Sequence, residues 1–200
     1  GYAGAPQSVF TDHFLHQAAI DGALGFKIEA APLHPVLFAT TLQGFGQAHA
    51  RLMREFTQAH VLLALLRDGF HPDSQGGQVV LAGDGLPVLD YPLTPLIWEA
   101  ARRALLAMAE LQFAAGARWV SPVHELSTGY ASWAEARRGI SELPLKPLLC
   151  RVVSAHVMGG CGMADAPQRG VVATEDAISG TVRVGRIGLS PGILPELLQA

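Results

Sequence analysis

The chain has 200 residues, half of them hydrophobic and 16% charged, with 14 Lys and Arg against 17 Asp and Glu for a formal charge of −3. That length suits one domain with a sizeable core, and an even charge mix without a basic stripe argues against nucleic-acid binding. No run of about 18 apolar residues occurs, so no membrane span is expected; two cysteines build no disulfide framework, which leaves the cytoplasm as the default compartment.

Residues 25–40 alternate imperfectly, with Phe26 and Ile28, then Val36, Leu37 and Phe38, bounded by Gly and Pro. They predict one or two strands. Residues 46–57 place Ala48, Leu52, Met53 and Phe56 at helical spacing after a glycine start. The apolar run His60–Arg67, ended by Asp68-Gly69, has strand length. Residues 78–81 and 87–91 flank Gly83-Asp84-Gly85, a hairpin signal because Asp-Gly supplies the positive φ of tight turns.

Thr94-Pro95 then offers an N-cap followed by proline at the first helical position. The helix is predicted over about 95–115, with Trp98, Ala101, Leu105, Met108 and Leu111 on one face, Arg102, Arg103 and Glu110 elsewhere, and Gly116 at C′. Arg118–Pro122 reads as a short strand. Ser132, with Glu135 three residues on, forms a capping box for a helix through Arg138. Residues 143–147 connect to an apolar stretch of Leu148, Leu149, Val152 and Val153. Strands with helices packed on one side make this an α+β domain, its sheet mainly antiparallel and backed by helices.

The segment Ser154-Ala155-His156-Val157-Met158-Gly159-Gly160-Cys161-Gly162-Met163 carries the densest chemical signal. Three glycines within four residues allow a sharp turn or a close backbone approach to a planar ligand. The spacing predicts His156 at the lip of that turn, where an imidazole can exchange a proton near neutral pH. A histidine beside glycines also serves commonly as a turn residue.

This segment resembles the H-x-M-G-(G/T)-C-x-M-G signature of the glucose–methanol–choline family of FAD-dependent alcohol oxidoreductases. Ala31-Pro32-Leu33-His34-Pro35, Gly44-Phe45-Gly46, Ala64–Gly69, Leu89–Leu93 and Gly129–Trp133 are similar to the substrate-binding portion of bacterial members. The resemblance spans roughly residues 1–172 and leaves 173–200 as a divergent tail. It implies a substrate-domain sheet backed by helices over a flavin. It also implies that His156 is the base on an alcohol hydroxyl as hydride passes to flavin N5, with Val157, Gly159 and Gly160 against the FAD.

Two departures accompany the match. No strand–G-x-G-x-x-G–helix unit is present to seat a pyrophosphate, so an FAD-binding domain would have to come from outside these residues. The start at Gly1-Tyr2-Ala3-Gly4 has no initiator Met, as a missing N-terminus would leave it. After Val171-Val172 the chain leaves the family pattern, and no Asn occurs anywhere in it, so the family's second catalytic His or Asn is not supplied. The alternative to an enzyme portion is a non-catalytic remnant, or a ligand- or partner-binding module lacking flavin.

Other chemistry-bearing residues have plainer readings. His156 and Cys161 would supply two metal ligands where structural zinc takes four, so no metal site is expected, and Cys161 suits a small thiol in a tight turn. Met158 and Met163 suit packing beneath that turn. His34, held extended by Pro35, either faces a substrate or serves structure. His60, His71 and His124 suggest no partner, and Tyr91 and Trp98 read as core or interface aromatics. Ser154 has no G-x-S-x-G context for a nucleophile.

Overall fold

In the three-stranded sheet, β2 (Phe26–Ala30) lies at the centre, between β1 (Phe10–Thr11) and β3 (Leu62–Leu66), antiparallel to both. The computed structural model describes residues 9–74, 76–153, 163–166 and 172–173. Phe26 pairs with Leu66, Ile28 with Ala64 and Ala30 with Leu62. Side chains alternate across a pleat, so these six share one face. Phe26 and Ile28 are buried there, packed with Ala104, Ala107 and Met108 of α3 (Pro95–Ala114). On the opposite face the Lys27 ammonium lies 2.5 Å from the Glu29 carboxylate and 4.2 Å from the centre of the Phe10 ring.

The 20 residues of α3 make a rod about 30 Å long that serves three clusters, the one with Phe26 and Ile28 through Ala104 and two others. Its first half buries Ile97 and Ala100 with Leu24, and its second half buries Ala109 with Val120, Ala136 and Ile140 of the α4 region. The alanines let the sheet and α4 approach the helix axis closely. The helix ends in a Schellman arrangement, with Gly116 N–H donating to Phe113 O at 3.0 Å and Ala117 N–H to Gln112 O at 2.9 Å. Gly116 has φ +91°, as the C′ position requires.

α4 (Trp133–Glu142) starts where expected and runs four residues beyond Arg138. Ser132 Oγ accepts from the Glu135 amide at 3.3 Å, and Glu135 Oε2 accepts from the Ala131 amide at 3.1 Å. The chain divides into two compact units, one of residues 1–76 and 92–153 and the other of 77–91 and 154–200. The second holds the predicted hairpin, β4 (Gln78–Leu81) with β5 (Pro87–Asp90), whose turn has Gly85 at φ +82°. It also holds a short parallel pairing of β6 (Met163–Ala164) with β7 (Val172–Ala173).

The α+β class stands, with four sequence expectations corrected. Val36, Leu37 and Phe38 lie in a helix, α1 (Pro35–Thr41). Pro35 presets the helical φ, and His34 Nδ1 caps it by accepting from the Val36 amide at 3.3 Å. The fully buried stripe of α3 is Ile97, Ala100, Ala104 and Ala109; of the expected face, Leu105 and Met108 pack partly buried against the core, and Leu111 is exposed. Arg118–Pro122 forms one bridge, Val120 to Tyr130, and no strand. Leu148, Val152 and Val153 are exposed, Leu148 with φ +70°.

α2 (Gly46–Arg54) matches the helical spacing of residues 46–57, followed by a short 3₁₀ turn over Phe56–Gln58. Thr94 sits at the N-cap of α3 as expected, yet its hydroxyl makes no cap bond. Among the described residues its Oγ1 is buried without a partner.

Candidate functional site

His156, Val157, Gly159 and Gly160, the residues nominated for proton transfer and flavin contact, lie outside the described residues, as do Ser154, Met158 and Cys161. What the structure does describe is how the chain is held just before them. Glu125 N–H donates to Leu149 O at 2.9 Å and Arg151 N–H to Val123 O at 3.3 Å, and His124 bridges Cys150 in antiparallel fashion. Residues 149–151 are thereby fastened to residues 123–125, and the exposed Arg151–Val153 leads onward.

His124 makes that fastening specific. Its side chain has no solvent exposure. Nδ1 accepts from the Leu126 amide at 3.1 Å, and Nε2 lies 3.1 Å from Pro144 O. A carbonyl can only accept, so Nε2 carries the proton and the ring is the neutral Nε2–H tautomer. One imidazole therefore joins the connector after α4 to the bridge that precedes the glycine-rich segment.

Cys150 is buried beside this bridge as a free thiol. Burial pushes its pKa up, and the Arg102 guanidinium offsets part of that. A thiol held protonated is a poor nucleophile. Arg102 itself donates from Nη1 to Ile140 O (2.5 Å) and Ser141 O (2.9 Å), and from Nη2 to Leu143 O (2.8 Å). These are carbonyls that a helix end leaves without partners.

Reading Arg102 as surface decoration missed this role. The available signal was the end of α4, where Glu142-Leu143-Pro144 offers neither Gly nor Asn at C′ and so calls for a donor from elsewhere.

Three other histidines have local work. His34 caps α1, His49 Nε2 lies 2.9 Å from Ala39 O, and His71 Nδ1 accepts from the Asp73 amide at 3.0 Å. Among the described residues no group of three His, Cys, Asp or Glu is arranged to hold a metal, and no helix is long and apolar enough to cross a membrane.

The described residues also do not form a pyrophosphate seat for FAD. Gly44 precedes α2 and Gly46 opens it, with φ of +78° and +61°, but the element before them is the helix α1 and not a strand. The amides of a strand–turn–helix crossover are therefore not assembled there.

Comparison with known proteins points in one direction. The chain is 28% identical over 153 residues to the long-chain-alcohol oxidase FAO4A of Arabidopsis thaliana, an alignment covering 72% of this chain and 20% of that protein. The chain thus corresponds to about one fifth of the length of that curated relative. No family profile matches it, and no solved structure does.

Proposed function

We propose that these residues are the substrate-domain portion of an FAD-dependent alcohol oxidoreductase of the glucose–methanol–choline type, in which His156 accepts the hydroxyl proton of an alcohol. The observation that carries this reading is the His-Val-Met-Gly-Gly-Cys-Gly-Met segment, found in a chain similar to a long-chain-alcohol oxidase. FAD, when bound, supplies the hydride acceptor. This chain's share is the proton acceptor and the approach to the flat ring, for which Gly159 and Gly160 offer backbone without side-chain bulk, next to Val157. The bridge from His124 to Cys150 supports the role by fixing where residues 151–153 set out. A long-chain alcohol is the first substrate to try.

The test starts from the coding DNA that flanks the segment, read in all frames. The protein it encodes is then assayed for alcohol-dependent reduction of bound flavin. His156→Ala is expected to lower turnover on the order of 100- to 10,000-fold, the usual reach of a positioned base, with flavin content retained. Equal turnover removes the role from His156. Flanking DNA without a strand–G-x-G-x-x-G–helix unit turns the reading to the alternative, a binding module without flavin.

A further inference from the structure

Phe45 is 91% exposed, an unusual position for a phenylalanine. It stands between Gly44 and Gly46, both with positive φ and neither with an atom within 4 Å of where a Cβ would lie. The glycines are thus not required by crowding. They are required by the left-handed backbone that turns the chain around Phe45. Earlier in the same segment, on α1, Val36 and Leu37 are also half exposed or more.

The charge of the same stretch is one-sided. Residues 30–54 contain no Asp or Glu, within a chain whose net charge is −3. They carry Arg51 and Arg54, both exposed, and among the described residues neither has an ion-pair partner. Arg151 adds a third guanidinium at the end of α1, donating to Thr40 O at 2.8 Å. Glu55 closes the acid-free run. An open depression of ≈ 540 Å³ runs past Gln47, Ala48, Ala50, Arg51 and Arg54 on α2. Arg51 lies about 9 Å along the helix axis from Phe45 by the α-helical rise.

We propose that the α1–α2 segment docks on an anionic lipid bilayer surface, with Phe45 entering the headgroup–acyl boundary and Arg51, Arg54 and Arg151 against the lipid phosphates. A lone exposed apolar residue is ordinary on a protein surface. A projecting aromatic on an acid-free, arginine-bearing segment is the combination that interfacial binding uses, since apolar burial and attraction to anionic lipid act together. The depression along α2 gives a headgroup room beside the two guanidiniums. This docking does not depend on flavin or on His156.

Flotation of the purified chain with vesicles tests it, using phosphatidylcholine alone and phosphatidylcholine mixed with phosphatidylserine. The chain is expected to float with the mixed vesicles at low ionic strength and to be released by salt, and to stay behind with the neutral ones. Phe45→Ser is expected to weaken binding about tenfold, and Arg51→Gln with Arg54→Gln about thirtyfold at roughly 1 kcal/mol per cation. All three side chains are exposed, so circular dichroism should show the fold retained.

Failure of the parent chain to float with anionic vesicles overturns the proposal, as does unchanged flotation of either variant. A concentration-dependent dimer that Phe45→Ser dissolves would assign the face to a second copy and likewise overturn it.

Discussion

Arg102, in the first half of α3, reaches Leu143, the residue that ends α4, with Nη2 2.8 Å from its carbonyl oxygen. The same guanidinium takes Ile140 O and Ser141 O, so one side chain ties the middle of one helix to the terminus of the next. Hydrogen bonds to a charged donor contribute more than neutral ones. Arg102→Met keeps most of the aliphatic stem and removes all three donors. It is expected to lower stability by about 2–3 kcal/mol in urea titration, with Arg102→Lys intermediate.

His124 should tolerate replacement less well than any other described histidine, because it alone is wholly buried and bonded at both nitrogens. His124→Phe would leave the Leu126 amide and the Pro144 carbonyl without their partner. The expected loss is about 2–4 kcal/mol, read by thermal unfolding. His124→Gln, which keeps a donor and an acceptor, should lose less.

Cys150 links stability to alkaline pH. Burial raises its pKa above the ordinary thiol value of 9.0, against a smaller lowering by Arg102. In the unfolded chain the thiol ionises near that ordinary value, whereas in the folded chain it stays protonated to higher pH. Folding stability from this group is therefore full below the ordinary value and falls as pH rises above it. Cys150→Ala should flatten that alkaline fall. In a Cys161→Ser background, maleimide labelling of Cys150 should be slow until urea unfolds the chain.

Gly139 lies in α4 beneath the Tyr130 ring, where a Cβ would overlap the ring carbons. Helix propensity favours alanine over glycine by about 1 kcal/mol, but overpacking typically costs about 1–3 kcal/mol. Gly139→Ala should therefore destabilise, and in a Tyr130→Ala background the same change should stabilise. Denaturation midpoints of the four proteins in that cycle decide between the two effects.

Signals that act within a few residues were legible in advance. Asp84-Gly85 placed the hairpin, Gly116 closed α3, and Ser132 with Glu135 opened α4, each through one turn of backbone. The errors came where a distant partner decided. Val36-Leu37-Phe38 suits a strand by composition, yet Pro35 and the His34 cap start a helix that buries Phe38 alone. On α3, bulk suggested Leu105, Met108 and Leu111 as the inward face. Leu105 and Met108 do pack partly buried against the core while Leu111 is exposed, but the fully buried positions facing β2 and α4 are alanines, which no periodicity of large residues reveals.

The site divides the same way. The glycine-rich motif was visible in the letters, but His124 and Arg102, which brace its approach, became recognisable only once Pro144, Leu143 and Cys150 were brought beside them.

The pairing of β2 with β3 closes over residues 31–61, the whole of α1 and α2. Closure entropy grows slowly with length, about 0.6 kcal/mol for each doubling. The sheet register is set by its own apolar face, so a rebuilt tip at the exposed turn of Gly44–Gly46 would cost the core little as long as the buried Leu33 and Phe38 are kept. Natural variation can therefore reshape the part of the molecule that displays Phe45 and the two arginines while Phe26, Ile28 and their partners stay as they are. A surface so loosely tied to the fold is free to follow whatever environment the protein inhabits.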